Sequence, residues 1–263
     1  MDKKDIIIAF LALLLLFAVG YAFLSQVDTE DPPVENGEEE IIEEEEEVEE
    51  EDVEDVDGQL LRDIVLNYIG APYGSDPMDD DENIYNNEEF NSTTLVLVSA
   101  ADYHFPEDPE EGMKQIHYYP PGEVSYENRL HFSTYRNQVS DYFSDITAEV
   151  GGELTESKEV VLNKEREDGR LLEIDWEEEI TLEYIYVEDF LEVISELPEI
   201  AGVTFIVDGD EEIGLDVRRE GLLLDGDRFV HSCSNQEEVI EENILDFLED
   251  QDYDGVNFFK INE

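Results

Sequence analysis

The pattern of apolar and polar positions predicts helices early in the chain and strands later. Apolar residues recur at helical spacing over residues 59–69, and Gly70 and Pro72 end this predicted helix. From Ile180 onward, short apolar or alternating runs indicate strands. The predicted strands are residues 180–186, 203–207, 213–217, 221–224, 228–231 and 256–261. Helices followed by an antiparallel sheet are typical of an α+β domain.

Three further segments are predicted to be helical or are ambiguous. Residues 188–197 predict a helix that Pro198 stops, and residues 236–249 place apolar residues on one helical face. Residues 93–101 combine Thr, Leu and Val, which favour a strand. However, Asn91 or Ser92 could cap a helix that starts there. Residues 113–118 predict a short helix or strand.

The N-terminus carries an uninterrupted apolar run of 19 residues, from Ile6 to Leu24, preceded by Lys3 and Lys4. Such a run is long enough to span a bilayer, and the flanking lysines place the N-terminus in the cytoplasm. Residues 1–27 are therefore predicted to be a membrane anchor, with the rest of the chain outside the cell. A cleaved signal peptide is the alternative, although its apolar core is usually only about 7–15 residues long.

The chain is extremely acidic, with a net charge of −60. Residues 28–57 hold 19 acids and no base, which predicts an extended, self-repelling stalk. The predicted folded domain, residues 58–263, still carries 53 acids and 12 bases after Asp57, a balance of −41. This charge argues against nucleic acid or an anionic membrane surface as partner and favours a high-salt habitat. Basic partners or calcium are the alternative.

The sequence predicts no cofactor and no metal site. Residues 250–255 mimic the start of an EF-hand loop, but the twelfth position is Ile261, where calcium needs a bidentate Glu. His104 and His117 show no metal-ligand spacing. The only cysteine, Cys233, excludes an intrachain disulfide and is interpreted as a small residue at a strand end rather than a relocated nucleophile.

Five segments, in order along the chain, resemble the motifs of one family. They are Gly70-Ala71-Pro72-Tyr73, Asn91-Ser92-Thr93-Thr94-Leu95-Val96, Tyr126-Glu127-Asn128-Arg129-Leu130-His131, Gly214-Leu215-Asp216-Val217-Arg218-Arg219-Glu220-Gly221 and His231-Ser232-Cys233. The family is the N-acetylmuramoyl-L-alanine amidase-like group of NlpC-related, papain-like cysteine amidases. The resemblance implies a helix beginning at the nucleophile and packed on an antiparallel sheet.

The resemblance also implies that the catalytic pair has been replaced. The family's nucleophilic Cys falls on Ser92, and its catalytic His falls on Arg219, which cannot act as a base because a guanidinium stays protonated. The expectation is a catalytically inactive protein that keeps its cleft for binding. The residues assigned to that cleft are Tyr73, Ser92, Tyr126, Arg129, His131, Arg219, His231 and Ser232.

The function expected from the sequence is a membrane-anchored, extracellular amidase-like protein that binds envelope peptide or glycopeptide. One alternative is an active amidase or peptidase in which His131 or His231 activates Ser92. Another is a structural surface spacer. The partners expected are cell-envelope material and, through the N-terminal helix, the membrane.

Overall fold

A computed structural model describes residues 56–81, 83–249 and 251–263 as a mixed α/β structure. The predicted anchor lies outside these residues, as does the predicted stalk up to residue 55. No helix among the described residues is long and apolar enough to cross a membrane.

Eight α-helices are numbered here in chain order within the described residues. They are α1 (Val56–Asn67), α2 (Ser92–His104), α3 (Pro109–Ile116), α4 (Ser133–Val139), α5 (Thr147–Gly151), α6 (Phe190–Val193), α7 (Asp210–Ile213) and α8 (Ile244–Glu249). The strands are β1 (Phe143–Asp145), β2 (Glu156–Leu162), β3 (Glu178–Tyr186), β4 (Ile200–Ile206), β5 (Arg219–Leu224), β6 (Arg228–Cys233), β7 (Glu238–Asn243) and β8 (Gly255–Ile261).

The strands form one eight-stranded sheet in the order β2-β3-β8-β4-β5-β6-β7, with β1 paired to β8. Neighbouring strands run antiparallel, as in the pairs of β5 with β4 and with β6. In the register of β5 and β6, Leu222 lies opposite Val230 and Leu223 opposite Phe229. Because successive side chains in a strand point to opposite faces, these two pairs lie on different sides of the sheet.

The two faces of the sheet pack on different helices. On the α2 face, Leu222, Leu224 and Val230 join the buried residues of α2 in one core cluster. On the α8 face, Leu223 and Phe229 join Phe247 of α8 in a second cluster. The names α2 face and α8 face are used below in this sense.

The predicted α+β class and most of the predicted elements agree with the structure. Residues 93–101 are helical, as the resemblance implied, although their propensity favoured a strand. The helix predicted over residues 59–69 is α1. The helix predicted over residues 188–197 consists of α6 flanked by two short 3-10 segments, Val187–Asp189 and Ile194–Glu196.

Two predicted elements were wrong. Residues 213–217 do not form a strand, because α7 ends at Gly214, whose φ of 79° is left-handed and suits glycine. Residues 236–249 are not one helix, since Glu238–Asn243 pair with β6 as a strand and only Ile244–Glu249 are helical.

Candidate functional site

The first turn of α2 carries the position of the predicted nucleophile. Asn91 caps the helix, with its Oδ1 accepting from the Thr94 amide at 2.9 Å, and Thr94 Oγ1 accepts from the Asn91 amide at 2.9 Å. This reciprocal capping satisfies two amide groups that a helix start otherwise leaves unpaired. Ser92 is the first helical residue, and its hydroxyl makes no hydrogen bond within the described ranges. Of the two capping residues that the sequence allowed, the structure selects Asn91.

Backbone contacts hold this turn against two other predicted motifs. Tyr73 forms a bridge with Phe90, the residue before Asn91, and Ser232 Oγ donates to the Phe90 carbonyl at 2.6 Å. Tyr73, Ser92 and Ser232, which are far apart in sequence, are therefore gathered at one end of α2.

A cavity of about 150 Å³ opens beside the start of α2. It is lined by Asp76, Pro77, Met78, Asn91, Thr93, Thr94, His117, Arg129, Leu130 and His131. A second cavity, of about 120 Å³, shares Arg129, Leu130 and His131 with the first. The Tyr-x-x-Arg-Leu-His motif thus contributes residues to both cavities.

Arg129 is held in this cavity by an acid that the sequence analysis did not single out. Its Nε donates to Asp80 Oδ1 at 2.7 Å, and the Tyr118 hydroxyl donates to the same oxygen at 2.7 Å. Burial, followed by the hydrogen bond to Asp80, raises the pKa of Tyr118, so its hydroxyl keeps its proton. The three side chains fix the guanidinium at the cavity wall.

His131 is the cavity imidazole best placed to accept a proton. Its Nε2 donates to the Tyr126 carbonyl at 2.8 Å, because a carbonyl can only accept, and this leaves Nδ1 unprotonated. Burial lowers its pKa, with Arg129 acting in the same direction. The pKa of the neighbouring His117 is lowered to about 3, mainly by burial. Both rings are therefore neutral at neutral pH.

His231 is engaged at both ring nitrogens. Its Nε2 donates to Glu242 Oε1 at 2.6 Å, and its Nδ1 accepts from Arg219 Nη1 at 3.5 Å. The ring stacks on Phe229 with centroids 4.5 Å apart and an interplanar angle of 11°. Burial lowers the pKa of His231, and the Arg219 charge acts in the same direction. This histidine is a fixed structural neighbour of Arg219.

The structure does not join the predicted replaced pair. Arg219 precedes Leu223 by four residues on β5, so strand alternation directs its side chain to the same α8 face, where it contacts His231 and Phe247. No hydrogen bond or ring contact among the described residues links Ser92 to Arg219 or to His231. The described residues thus bring neither Arg219 nor His231 into contact with Ser92. The physical reason is strand alternation, which directs the side chains of Arg219 and His231 to the α8 face, away from α2.

The next residue along β5, Glu220, points to the α2 face instead. It accepts from Arg136 Nη2 at 2.9 Å and from Ser133 Oγ at 2.9 Å, and both Arg136 and Glu220 are at most 1% exposed. Sequence reasoning missed this buried pair. The only available signal was an acid within the apolar run of residues 219–224.

No group of three or more His, Cys, Asp or Glu side chains is arranged to hold a metal ion within the described residues. The cavity therefore offers hydrogen-bond donors, neutral imidazoles and one paired guanidinium. Such a set can bind and orient a polar ligand. Acyl-transfer chemistry would additionally need a base in contact with the Ser92 hydroxyl.

Fold and cavity together define a small mixed α/β domain of the amidase type. The chain belongs to the AmiA-like family, described as N-acetylmuramoyl-L-alanine amidase-like, whose model matches residues 63–256. No curated protein matches the chain.

Solved structures show the same fold at low sequence identity. A Legionella pneumophila protein is 19% identical, with a TM-score of 0.65 over 79% of this chain and 89% of its own. An N-acetylmuramoyl-L-alanine amidase from Bacteroides uniformis is 17% identical, with a TM-score of 0.60 over 79% of this chain and 99% of its own. At such identities the likeness establishes the fold alone.

A thiol introduced at position 92 tests how the α2 and α8 faces are arranged. In a Cys233→Ser background, the Ser92→Cys thiol is expected to titrate below the ordinary value of about 8.5, because a helix N-terminus stabilises a thiolate. Adding Arg219→His should leave that titration unchanged, since position 219 lies on the α8 face. Iodoacetamide alkylation across pH measures this.

The exposed Ser195 supplies a reference thiol through Ser195→Cys in the same background. A shift of more than about half a pH unit on adding Arg219→His, which is the scale of a nearby charge, would contradict the assignment of the two faces. It would support instead the adjacency that motif order alone predicted.

Proposed function

We propose that this protein is a non-catalytic member of its family that binds envelope peptide or glycopeptide in the cavity beside α2. The observation that carries the proposal is the state of the nucleophile position. Ser92 has replaced the cysteine that the family motif carries, and no base contacts its hydroxyl within the described residues. A hydroxyl ionises far less readily than a thiol and depends more strongly on an adjacent base.

The neighbours of Ser92, Asn91 and Thr93, nevertheless line a polar cavity. Arg129 is fixed by Asp80 and Tyr118, and His131 is fixed by the Tyr126 carbonyl. Polar side chains held in this way favour binding, because less side-chain freedom is lost when the ligand arrives. The name of the Bacteroides uniformis relative supports a ligand that contains an N-acetylmuramoyl-L-alanine unit or a similar envelope peptide.

The papain-like fold, the cellular location and the habitat of the protein belong to the same proposal. A helix that begins at the nucleophile position and packs on an antiparallel sheet supports a papain-like, NlpC-related domain. The apolar run at residues 6–24 supports a single-pass anchor with this domain outside the cell. The net charge of −60 supports a high-salt habitat.

Binding and turnover of one ligand test the proposal directly. The full-length chain in mild detergent is titrated with N-acetylmuramoyl-L-alanyl-D-isoglutamine by calorimetry at molar KCl, and the mixture is analysed for released peptide. Binding without release is expected. Arg129→Gln should weaken binding at least about tenfold, since a charge-assisted hydrogen bond is lost. The control Arg228→Gln alters a half-buried arginine that pairs with Glu241 of β7 and does not line the cavity, so it should leave binding unchanged.

Absence of binding by the unaltered chain would favour the spacer role. Release of peptide that disappears in Ser92→Ala would show that the protein is an enzyme.

A second candidate function, an amidase using Ser92, is favoured by one observation. His131 lines the same cavity as Asn91 and Thr93, and its Nδ1 carries a lone pair. If ligand binding brings this nitrogen to Ser92, a Ser–His pair results. Turnover would then be lost in both Ser92→Ala and His131→Ala, whereas His231→Gln would retain it.

A further inference from the structure

Arg219 stands apart from the other arginines in the described residues because it has no carboxylate partner. Each of the others lies within 3.5 Å of an acidic oxygen. Those arginines are Arg62, Arg129, Arg136, Arg166, Arg170, Arg218 and Arg228. In a domain with 53 acids and 12 bases after Asp57, an arginine without an acid needs a physical explanation.

The guanidinium of Arg219 is nonetheless held in place. Its Nη1 donates to His231 Nδ1 at 3.5 Å, and it lies over the Phe247 ring, 5.7 Å from the centroid. His231 is itself fixed by Glu242 at 2.6 Å. One N–H group of the guanidinium thus donates to His231, while its other N–H groups are available to a ligand. A guanidinium matches the two oxygens of a carboxylate.

A second donor without a partner lies next to Arg219. The ring of Tyr253 stacks on Phe205 with centroids 4.8 Å apart, and Tyr253 is half-buried. Its hydroxyl makes no hydrogen bond among the residues that the structure describes. Phe205 lies opposite Arg219 in the pairing of β4 with β5, and the Tyr253 ring also packs against the Phe247 ring, over which Arg219 lies, with centroids 5.9 Å apart. Tyr253 is therefore placed beside Arg219.

Two acids that contact the neighbours of this cluster are already engaged. Glu242 accepts from His231, and Asp210 is ion-paired with Arg218. Neither is paired with Arg219. The local arrangement therefore presents a fixed cation and a hydroxyl donor to solvent in an otherwise acidic surface.

We infer that Arg219 and Tyr253 form a binding site for a carboxylate of a peptide ligand on the α8 face. The site goes beyond the proposed function, because it lies on the opposite side of the sheet from the cavity beside α2. The guanidinium binds the carboxylate through two parallel N–H···O bonds, and the Tyr253 hydroxyl donates a third. Peptide envelope fragments with free carboxylates are the ligand class that this donor set fits.

The test uses two matched probes on the full-length chain in mild detergent. N-acetyl-Ala-Glu carries free carboxylates, and its diamide replaces both with neutral amides. Binding is followed through the Nε–Hε resonances of ¹⁵N-labelled arginines at 0.15 M and at 2 M KCl. The expected result is a saturable shift of the Arg219 signal by the acid and none by the diamide. Salt should weaken binding without abolishing it, since a partly buried guanidinium is screened less than an exposed one.

Variants separate the site from general charge attraction. Arg219→Gln should reduce affinity at least about tenfold, and Tyr253→Phe should reduce it by a smaller factor, because it removes one neutral donor. Arg219→Lys keeps the charge but loses the two parallel N–H groups, so its affinity should lie between that of Arg219→Gln and that of the unaltered chain. Arg228→Gln, on the adjacent strand, is the control and should bind as the unaltered chain does.

Equal binding of acid and diamide, or unchanged affinity in Arg219→Gln, would overturn the inference, as would the absence of an Arg219 shift. Circular dichroism of each variant confirms folding; if Arg219→Gln unfolds, Tyr253→Phe and Arg219→Lys still decide the outcome. Because Arg129→Gln tests the cavity beside α2 separately, failure of either site leaves the other result interpretable.

Discussion

Removing one member of the buried Arg136–Glu220 pair is expected to destabilise the domain by about 3–5 kcal/mol, because the remaining charge is left buried without a partner. Both residues are at most 1% exposed, and Arg136 lies over the rings of Phe143 and Phe259, at 4.4 and 5.1 Å from their centroids. Water cannot solvate a charge left in this position without opening the core. Arg136→Met and Glu220→Gln, measured singly by denaturant unfolding, test the prediction.

The double variant Arg136→Met with Glu220→Leu is the matched control. Replacing both charges with apolar groups of similar size removes the desolvation penalty along with the attraction, so its stability should lie well above that of either single variant. Ser133 Oγ also donates to Glu220, and this hydroxyl would have to find another acceptor. Single variants that lose less than about 1 kcal/mol would show that solvent reaches the pair.

Molar salt is expected to raise the melting temperature of residues 58–263 by at least about 10 °C relative to dilute buffer, which corresponds to about 3 kcal/mol for a domain of this size. The cause is the balance of −41 carried after Asp57, where bases are too few to pair with the acids. Repulsion between surface carboxylates reaches about 10 Å at 0.1 M salt but only about 3 Å at 1 M. Circular dichroism during heating at increasing KCl measures the effect.

A charge-reduced variant separates screening from other actions of salt. Glu178, Glu179 and Glu192 are exposed and can be replaced together by glutamine. The variant should gain stability in dilute buffer and depend less on KCl, because fewer charges remain to be screened. A salt dependence that is identical in the variant would instead indicate specific ion binding or a general effect of salt on hydrophobic burial.

Sequence reasoning located the elements of this fold better than it located their faces. The Thr, Leu and Val residues of the α2 segment favour a strand by propensity. Because residues Thr94–Ala101 are all buried, the segment also shows no amphipathic period that would indicate a helix. Only the order of motifs identified it as a helix. The short strands β1 and β2 drew no prediction, since Glu156–Leu162 begins with four polar residues and becomes apolar only near its end.

For the candidate site too, the segments involved were easier to predict than the faces on which their side chains lie. Motif order assigned Ser92 and the Arg129–His131 segment to one cleft, and the cavity beside α2 is lined by that segment together with Asn91 and Thr93, the neighbours of Ser92. A one-residue step along β5 decides whether a side chain meets α2 or α8, and the apolar pattern alone does not make that distinction for Arg219 and Glu220. Asp80, which holds Arg129, lies in an acid-rich loop where no single acid stands out.

The outermost strands of the sheet are β2 and β7. They decide whether molecules can associate strand to strand when salt screens the long-range repulsion between them. The β2 end of the sheet offers backbone groups to which a strand of another molecule could add. At the β7 end, Val239 is already covered, since its amide donates to the Ala71 carbonyl at 2.8 Å, and only the later part of β7 offers such groups. Glu156 and Glu159 mark one end, and Glu238, Glu241 and Glu242 mark the other. A carboxylate that an incoming strand must desolvate still opposes addition at contact distance, whatever the ionic strength. These few acids therefore oppose strand addition even at molar salt, where the long-range repulsion of the many others is screened.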